Sequence, residues 1–226
     1  MQLENLTNSS KRDLKRCYDD ACGLAHALEL VGERWAMLVL RELAYGPRRF
    51  SELKADLTGI SANVLTQRLT ELEQRRLVRK TKLPPPASVQ VYQATEWGLE
   101  AIPIIGSLGR WAARSPLHNP TLPMSHVSVM MSFQTLLSPE RAQGMRGRFG
   151  FRFGGVSYVA TLADGRLAVE RGETKDCDAV FTGSPTELVA VIHGGAPPEM
   201  IGIEGDLALA KKFMTLFPLP PKVVER

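Results

Sequence analysis

The stretch "SPLHNPTLP", residues 115–123, places three prolines within nine residues. Each proline fixes φ and lacks a backbone donor, so neither a helix interior nor a central strand can run through it. It divides the 226-residue chain into two parts, each of domain size. The parts differ in charge. Residues 1–115 carry 17 Lys and Arg against 13 Asp and Glu, whereas residues 116–226 carry 11 against 11. The whole excess of +4 therefore lies in the first part, and residues 34–82 concentrate it at 11 basic against 5 acidic. A local basic excess is the electrostatic footprint of a nucleic-acid partner.

The first part reads as mostly helical. "CGLAHALELVG" and "ERWAMLVLRELAYG" carry apolar residues at helical intervals and end in Gly, a common helix stop. "RRFSELKADLTG" is a shorter helix with Phe50, Leu53 and Leu57 facing inward, and Gly59 turns the chain into residues 61–74. There Ser61 is a natural N-cap. Val64, Leu65, Leu69 and Leu72 fall on one side of the helix; Asn63, Thr66, Gln67, Thr70 and Gln74 fall on the other. Two extended runs follow, "LVRKTKL" and "VQVYQAT", joined as a β-hairpin by the long tip "LPPPAS". Thr95 can cap a last helix, on which Trp97, Ala101, Ile104, Ile105, Leu108 and Trp111 form one broad apolar band.

In that order the elements spell a winged helix-turn-helix. An ordinary solvated helix face carries Glu and Lys; this one carries amides and hydroxyls, which match the donor and acceptor pairs of base edges in the major groove. The candidate DNA-binding residues are Ser61, Asn63, Thr66, Gln67, Thr70 and Gln74, with Arg68 and Arg75 flanking them as phosphate contacts. Arg79, Lys80 and Lys82 of the hairpin would meet the backbone or the minor groove.

Other classes find little support. No run approaches the roughly 18 apolar residues that a membrane span needs. "MQLENLTNSSKRDLKR" has no apolar core after a basic start, so no secretory leader is expected and the cytoplasm is the expected location. Cys17, Cys22 and Cys177 are too few for a disulfide framework, and they lack zinc-site spacing. They read as packing or exposed residues, with a redox sensor as the minority alternative. His26, His118, His126 and His193 are scattered, no nucleophile–base motif recurs, and "GMRGRFGFRFGG" lacks the G-K-[ST] of a phosphate loop. No metal, no cofactor and no enzymatic activity are expected.

The first part resembles the HxlR-type bacterial transcriptional regulators, relatives of the MarR group. The likeness runs for about 90 residues from Cys22 through "VYQATEWGLEAIPIIGSLGRWA". It takes in the Cys before the first helix, G-E-R-W, G-P-R-R-F-S-E-L, G-I-S with L-T-Q-R-L-T-E-L-E, the wing prolines and the final Trp. The resemblance implies a homodimer that binds double-stranded operator DNA, reading two half-sites about 34–36 Å apart. It implies pairing through terminal helices, which makes Trp97, Ile104, Ile105, Leu108 and Trp111 candidates for the dimer interface. It also carries over Cys22 as a candidate thiol sensor of oxidants or electrophiles. Two positions depart from the family pattern: Arg76 stands where a Gly usually ends the recognition helix, and Gly23 where a Pro often follows the Cys.

The second part has a different texture. "HVSVMMSFQTLL" and "SPERAQGM" read as helices, while "FGFRFG", "VSYVATLADGRLAVER" and "DAVFTG" read as strands with Asp164-Gly165 as a hairpin turn. "SPTELVAVIHGG", capped by Ser184, and "LALAKKFMTLF" read as further helices. From "VSYVATLADG" through "DAVFTGS" and "IGIEGDLALA" to the closing helix, this part resembles sterol-carrier-protein-type domains. That resemblance implies an apolar tunnel for a fatty-acyl or sterol-like molecule. Met130, Phe133, Phe181, Ile192, Phe213 and Phe217 are the candidate pocket residues, with Met131, Val189, Met200 and Met214 beside them; plain core packing is the competing reading.

The expected fold class is thus α+β. A winged helix-turn-helix domain (17–115) and a linker (116–123) precede a small sterol-carrier-like α+β domain (124–226). The expected function is a dimeric DNA-binding regulator that answers to a hydrophobic effector. The alternatives are a regulator switched at Cys22, and a lipid carrier whose winged helix serves protein contacts.

Overall fold

A computed structural model of the protein describes residues 18–224, so Cys17 lies outside the described residues. The first part folds as four helices, a hairpin and a long helix. These are α1 (Gly23–Val31), α2 (Ala36–Glu42), α3 (Phe50–Asp56), α4 (Ala62–Gln74), β1 (Val78–Lys82), β2 (Gln90–Ala94) and α5 (Glu96–Ala112). Their apolar faces meet in one core, in which Leu40, Leu53, Leu65, Leu69 and Leu72 are buried. The "ERWAMLVLRELAYG" helix is shorter than its periodicity suggests. Trp35 has φ 80 at its N-cap, a left-handed conformation that cannot continue a helix, so α2 begins only at Ala36.

The wing pairs Val78 with Ala94 through Lys82 with Gln90. It also has a third member that the sequence reading missed: Arg48 and Tyr92 exchange backbone hydrogen bonds at 2.9 and 2.8 Å. The stretch before α3 therefore serves as a one-residue strand.

The second part contains α6 (His126–Leu136), α7 (Pro139–Ala142), β3 (Gly147–Phe153), β4 (Val156–Ala163), β5 (Arg166–Arg171), β6 (Ala179–Thr182), α8 (Pro185–His193), β7 (Gly202–Gly205) and α9 (Leu207–Met214). The strands form one sheet in the order β5-β4-β3-β6-β7, in which β3 and β6 are parallel and the other neighbours antiparallel. Asp164 (φ 50) and Gly165 (φ 69) both take positive φ, the type I′ geometry that a two-residue hairpin favours. α7 is only one turn of the helix expected over "SPERAQGM", and β7 lies within "IGIEGDLALA", where no strand was expected. A second core of Phe and Met side chains lies between this sheet and α6 and α9.

The two parts are joined by more than the linker. Ser125 Oγ donates to Glu42 Oε1 at 2.7 Å, and the Tyr45 and Tyr158 rings meet edge to face at 5.6 Å. The segment after α9 folds back onto the linker. There Lys222 Nζ donates to the carbonyls of Ala113, Ser115 and His118 at 3.0–3.1 Å, which uses all three ammonium protons. Val223 N donates to Arg114 O at 2.8 Å beside it.

Candidate nucleic-acid interface

α4 begins where the sequence says it should, because Ser61 Oγ accepts the Val64 N–H at 3.2 Å. Gly59 before it has φ 89, a conformation that glycine adopts without a Cβ clash. Leu65, Leu69 and Leu72 point into the core, which turns Asn63, Thr66, Gln67, Thr70 and Gln74 outward together with Ser61. The two threonine hydroxyls donate to carbonyls one turn back, Thr66 to Ala62 and Thr70 to Thr66, both at 2.9 Å. Gln67 Nε2 donates to Glu71 Oε1 at 2.9 Å. These are exposed bonds within one helix, so the same groups can turn to base edges at little cost.

Two predicted phosphate contacts, Arg68 and Arg75, are engaged within the protein. Arg68 is only 5% exposed, and its guanidinium lies 2.7 Å from Glu71 and 3.2 Å from Glu33. It holds α4 to the turn before α2. Arg75 is half-buried and donates from Nη1 to Leu30 O at 2.9 Å, which ties α4 to α1. Both sit on turns of α4 that face the body of the domain, a distinction of about one helical position that residue type alone does not reveal. Arg79, Lys80 and Lys82 of the wing are exposed on β1 beside α4.

α5 starts at Thr95, whose hydroxyl accepts Gly98 N–H at 3.0 Å. Its apolar band divides. Ala101, Ile102 and Ile105 pack against the first core, whereas Trp97, Ile104, Leu108 and Trp111 are exposed, Ile104 and Trp111 by about 70%. Ile105 is thus partly buried against the first core, unlike the other interface candidates. α1 adds exposed Leu24 and Leu28.

Residues 30–118 match the HxlR-like helix-turn-helix family. Over 86 residues the chain is 35% identical to the uncharacterized HTH-type transcriptional regulator YvaP of Bacillus subtilis (strain 168), a stretch that takes in 80% of that protein and 38% of this chain. The chain belongs to the HxlR family. It is a transcriptional regulator of the HxlR/MarR kind. YodB of the same organism is also 35% identical over 86 residues, 77% of its length and 38% of this chain. The solved reduced form of YodB is 31% identical, with 97% of that chain and 43% of this one covered, at a TM-score of 0.39.

In this HxlR chain Cys22 is exposed and occupies the N-cap of α1. Hydrogen bonds from the Leu24 and Ala25 backbone N–H groups lower its thiol pKa below the ordinary value. Cys177 lies half-buried in the second part, where burial raises its thiol pKa.

The residues proposed to line an apolar tunnel are packed against one another. Phe149 stacks on Phe213 at a centroid distance of 3.9 Å, Phe133 on Phe217 at 4.6 Å and Phe151 on Phe181 at 5.2 Å. Met130, Phe133, Phe181, Phe213 and Phe217 are all buried, and Ile192 is partly so. The competing expectation of plain core fits these residues, since rings this close leave no room for a ligand. The cavities lie elsewhere. One of about 570 Å³ opens between α5, the linker, α6 and α8, and another of about 500 Å³ lies on the other side of the α5–α6 contact. Among the described residues no group of His, Cys, Asp and Glu could hold a metal ion, and no helix is long and apolar enough to cross a membrane.

Proposed function

We propose that this regulator acts as a homodimer on operator DNA and that its second domain tunes binding in response to a hydrophobic small molecule. The observation that carries the reading is the outward amide and hydroxyl face of α4 beside the exposed basic residues of β1. Bases would be read by Asn63, Thr66, Gln67, Thr70 and Gln74; Arg79, Lys80 and Lys82 would neutralise phosphates. Exposed Trp97, Ile104, Leu108 and Trp111 on α5, with Leu24 and Leu28 on α1, supply the apolar surface for a partner copy. The mixed sheet with helices on its apolar face supports the sterol-carrier-like reading of the second domain. The named role of the relatives supports regulation and not catalysis, inside the cytoplasm.

An effector changes DNA affinity only if it binds two states of the dimer unequally. α5 can convey such a difference, because its inner face meets α6 while its outer face carries the apolar surface. The test is binding of the full chain to the DNA upstream of its own gene, against a scrambled duplex, over a salt series. Specific binding is expected to exceed non-specific by about 10³ or more. Equal, weak and steeply salt-dependent binding of both duplexes would remove the operator reading, and no binding of either would favour the lipid carrier.

A second reading, a thiol-switched regulator, is favoured by the exposed, acidified Cys22. The relative YodB has been solved reduced, quinone-bound and diamide-treated. Cys22→Ser would then hold its DNA under oxidant while the parent chain releases it; identical release by both rejects the switch.

A further inference from the structure

We propose that the cavity of about 570 Å³ between α5 and α6 binds a small apolar carboxylic acid. This places and specifies the effector of the function proposed above, and it rests on that reading.

The cavity arises from how two helices meet. α5 touches α6 at Gly106, where an added Cβ would come within 2.9 Å of Thr135 Oγ1. At Gly109, one turn onward, nothing lies within 4 Å of an added Cβ. The helices are thus in contact at one turn and open by the next, and the linker and α8 close the space. Its walls are mainly apolar, with Met131 of α6, Leu122 of the linker and Val189 of α8 among them. The volume is in the range of small-molecule sites, which are largely apolar with a few placed polar groups.

The ionisable groups here are all basic, beside the neutral Asn119, Ser128, Ser132 and Thr135. Arg41, Arg110, His118 and His193 line the cavity, and no Asp or Glu does. Arg41 is already neutralised, since its Nε and Nη2 donate to Glu42 Oε1 at 2.9 and 2.7 Å. Arg110 spends one hydrogen bond on Thr135 O, at 2.9 Å, and is exposed. Its guanidinium keeps donors for a carboxylate, the planar anion that arginine recognises best. His193 also lines the cavity, and burial lowers its pKa and so favours the neutral ring. An acid head on Arg110 and an apolar body against Met131, Leu122 and Val189 would fill the space that separates α5 from α6.

The experiment is calorimetric titration of the full-length protein with dodecanoate and, separately, dodecanol. Dodecanoate is expected to bind at one equivalent per chain. Arg110→Gln should weaken the acid about tenfold and leave the alcohol unchanged. Met131→Trp should weaken both about tenfold by filling the cavity. Leu122→Trp, in the exposed linker, gives the same reading should Met131→Trp fail to fold. Absence of binding by either ligand, equal effects of Arg110→Gln on acid and alcohol, or full binding by both filled variants would each overturn the proposal. DNA binding is measured on the same protein. If the acid binds as described and no duplex binds specifically, the regulator reading falls while the site stands.

Discussion

His126 Nε2 lies 3.3 Å from Asp56 Oδ2, joining the two parts of the chain. Asp56 ends α3, His126 begins α6, and the other ring nitrogen of His126 is hydrogen-bonded to buried Tyr158 OH at 2.6 Å. Arg48 pairs with the same Asp56, and its backbone joins the wing at Tyr92. A chain of contacts thus leads from the wing to the centre of the second domain.

Acid should loosen that chain of contacts first. Burial pushes the Asp56 pKa up, but hydrogen bonds from His126 and Arg48, with the Arg48 charge, outweigh it and hold the carboxyl at about 2, against 3.8 ordinarily. The folded pKa is the lower one, so ionised Asp56 stabilises the fold fully above about pH 4 and loses that contribution as pH falls toward 2. Glu42 and Glu52 also face Arg48. Urea midpoints followed from pH 5 to 2 should fall more steeply for the parent chain than for Asp56→Asn. Parallel curves would show that the pair contributes nothing.

Arg68 and Lys80 should separate structure from DNA contact. Arg68 is the buried member of the contacts with Glu33 and Glu71, so Arg68→Ala should cost about 1 kcal/mol of stability. Lys80→Gln should leave the melting temperature unchanged and make the log–log salt slope of DNA binding shallower by about 0.9. Thermal melts and a salt titration of both variants check the pair.

Arg76 follows α4 with φ 60, in the left-handed region that an L-residue enters at a cost of about 1 kcal/mol. The departure from the family glycine is therefore a strained one. Arg76→Gly should raise the melting temperature by about 2–4 °C, because the Thr95 hydroxyl bond to its carbonyl, at 2.8 Å, does not depend on the side chain.

Dimerisation should depend on the outer face of α5. A double variant, Ile104→Asp with Trp111→Ser, removes the two most exposed apolar side chains of that helix without touching the core. Sedimentation velocity should show monomer where the parent chain sediments as dimer, and DNA affinity should drop with it.

The elements of the first domain were legible because their signals are local. The Ser61 cap, the spacing of Leu65, Leu69 and Leu72, and the Thr95 cap each follow from residues within a turn or two. The contacts of Arg68 and Arg75 were not legible because their partners, Glu33 and Leu30 O, sit far back in the chain. The cavity was invisible for the same reason. Its walls come from six segments spread from Arg41 to Leu219, and their meeting depends on the Gly106–Thr135 approach. The aromatic residues that suggested a tunnel say only that something apolar is enclosed, and here they enclose one another.

Lys222 holds the linker by three carbonyls, and Val223 N fastens to Arg114 beside it. Both residues are translated after everything they fasten. A nascent chain can complete its reading head once α5 has emerged, yet the junction stays unlatched until synthesis has passed residue 223. The latch is therefore the last tie between the two parts to form in each molecule's life, after residues 125, 126 and 158 have already supplied theirs.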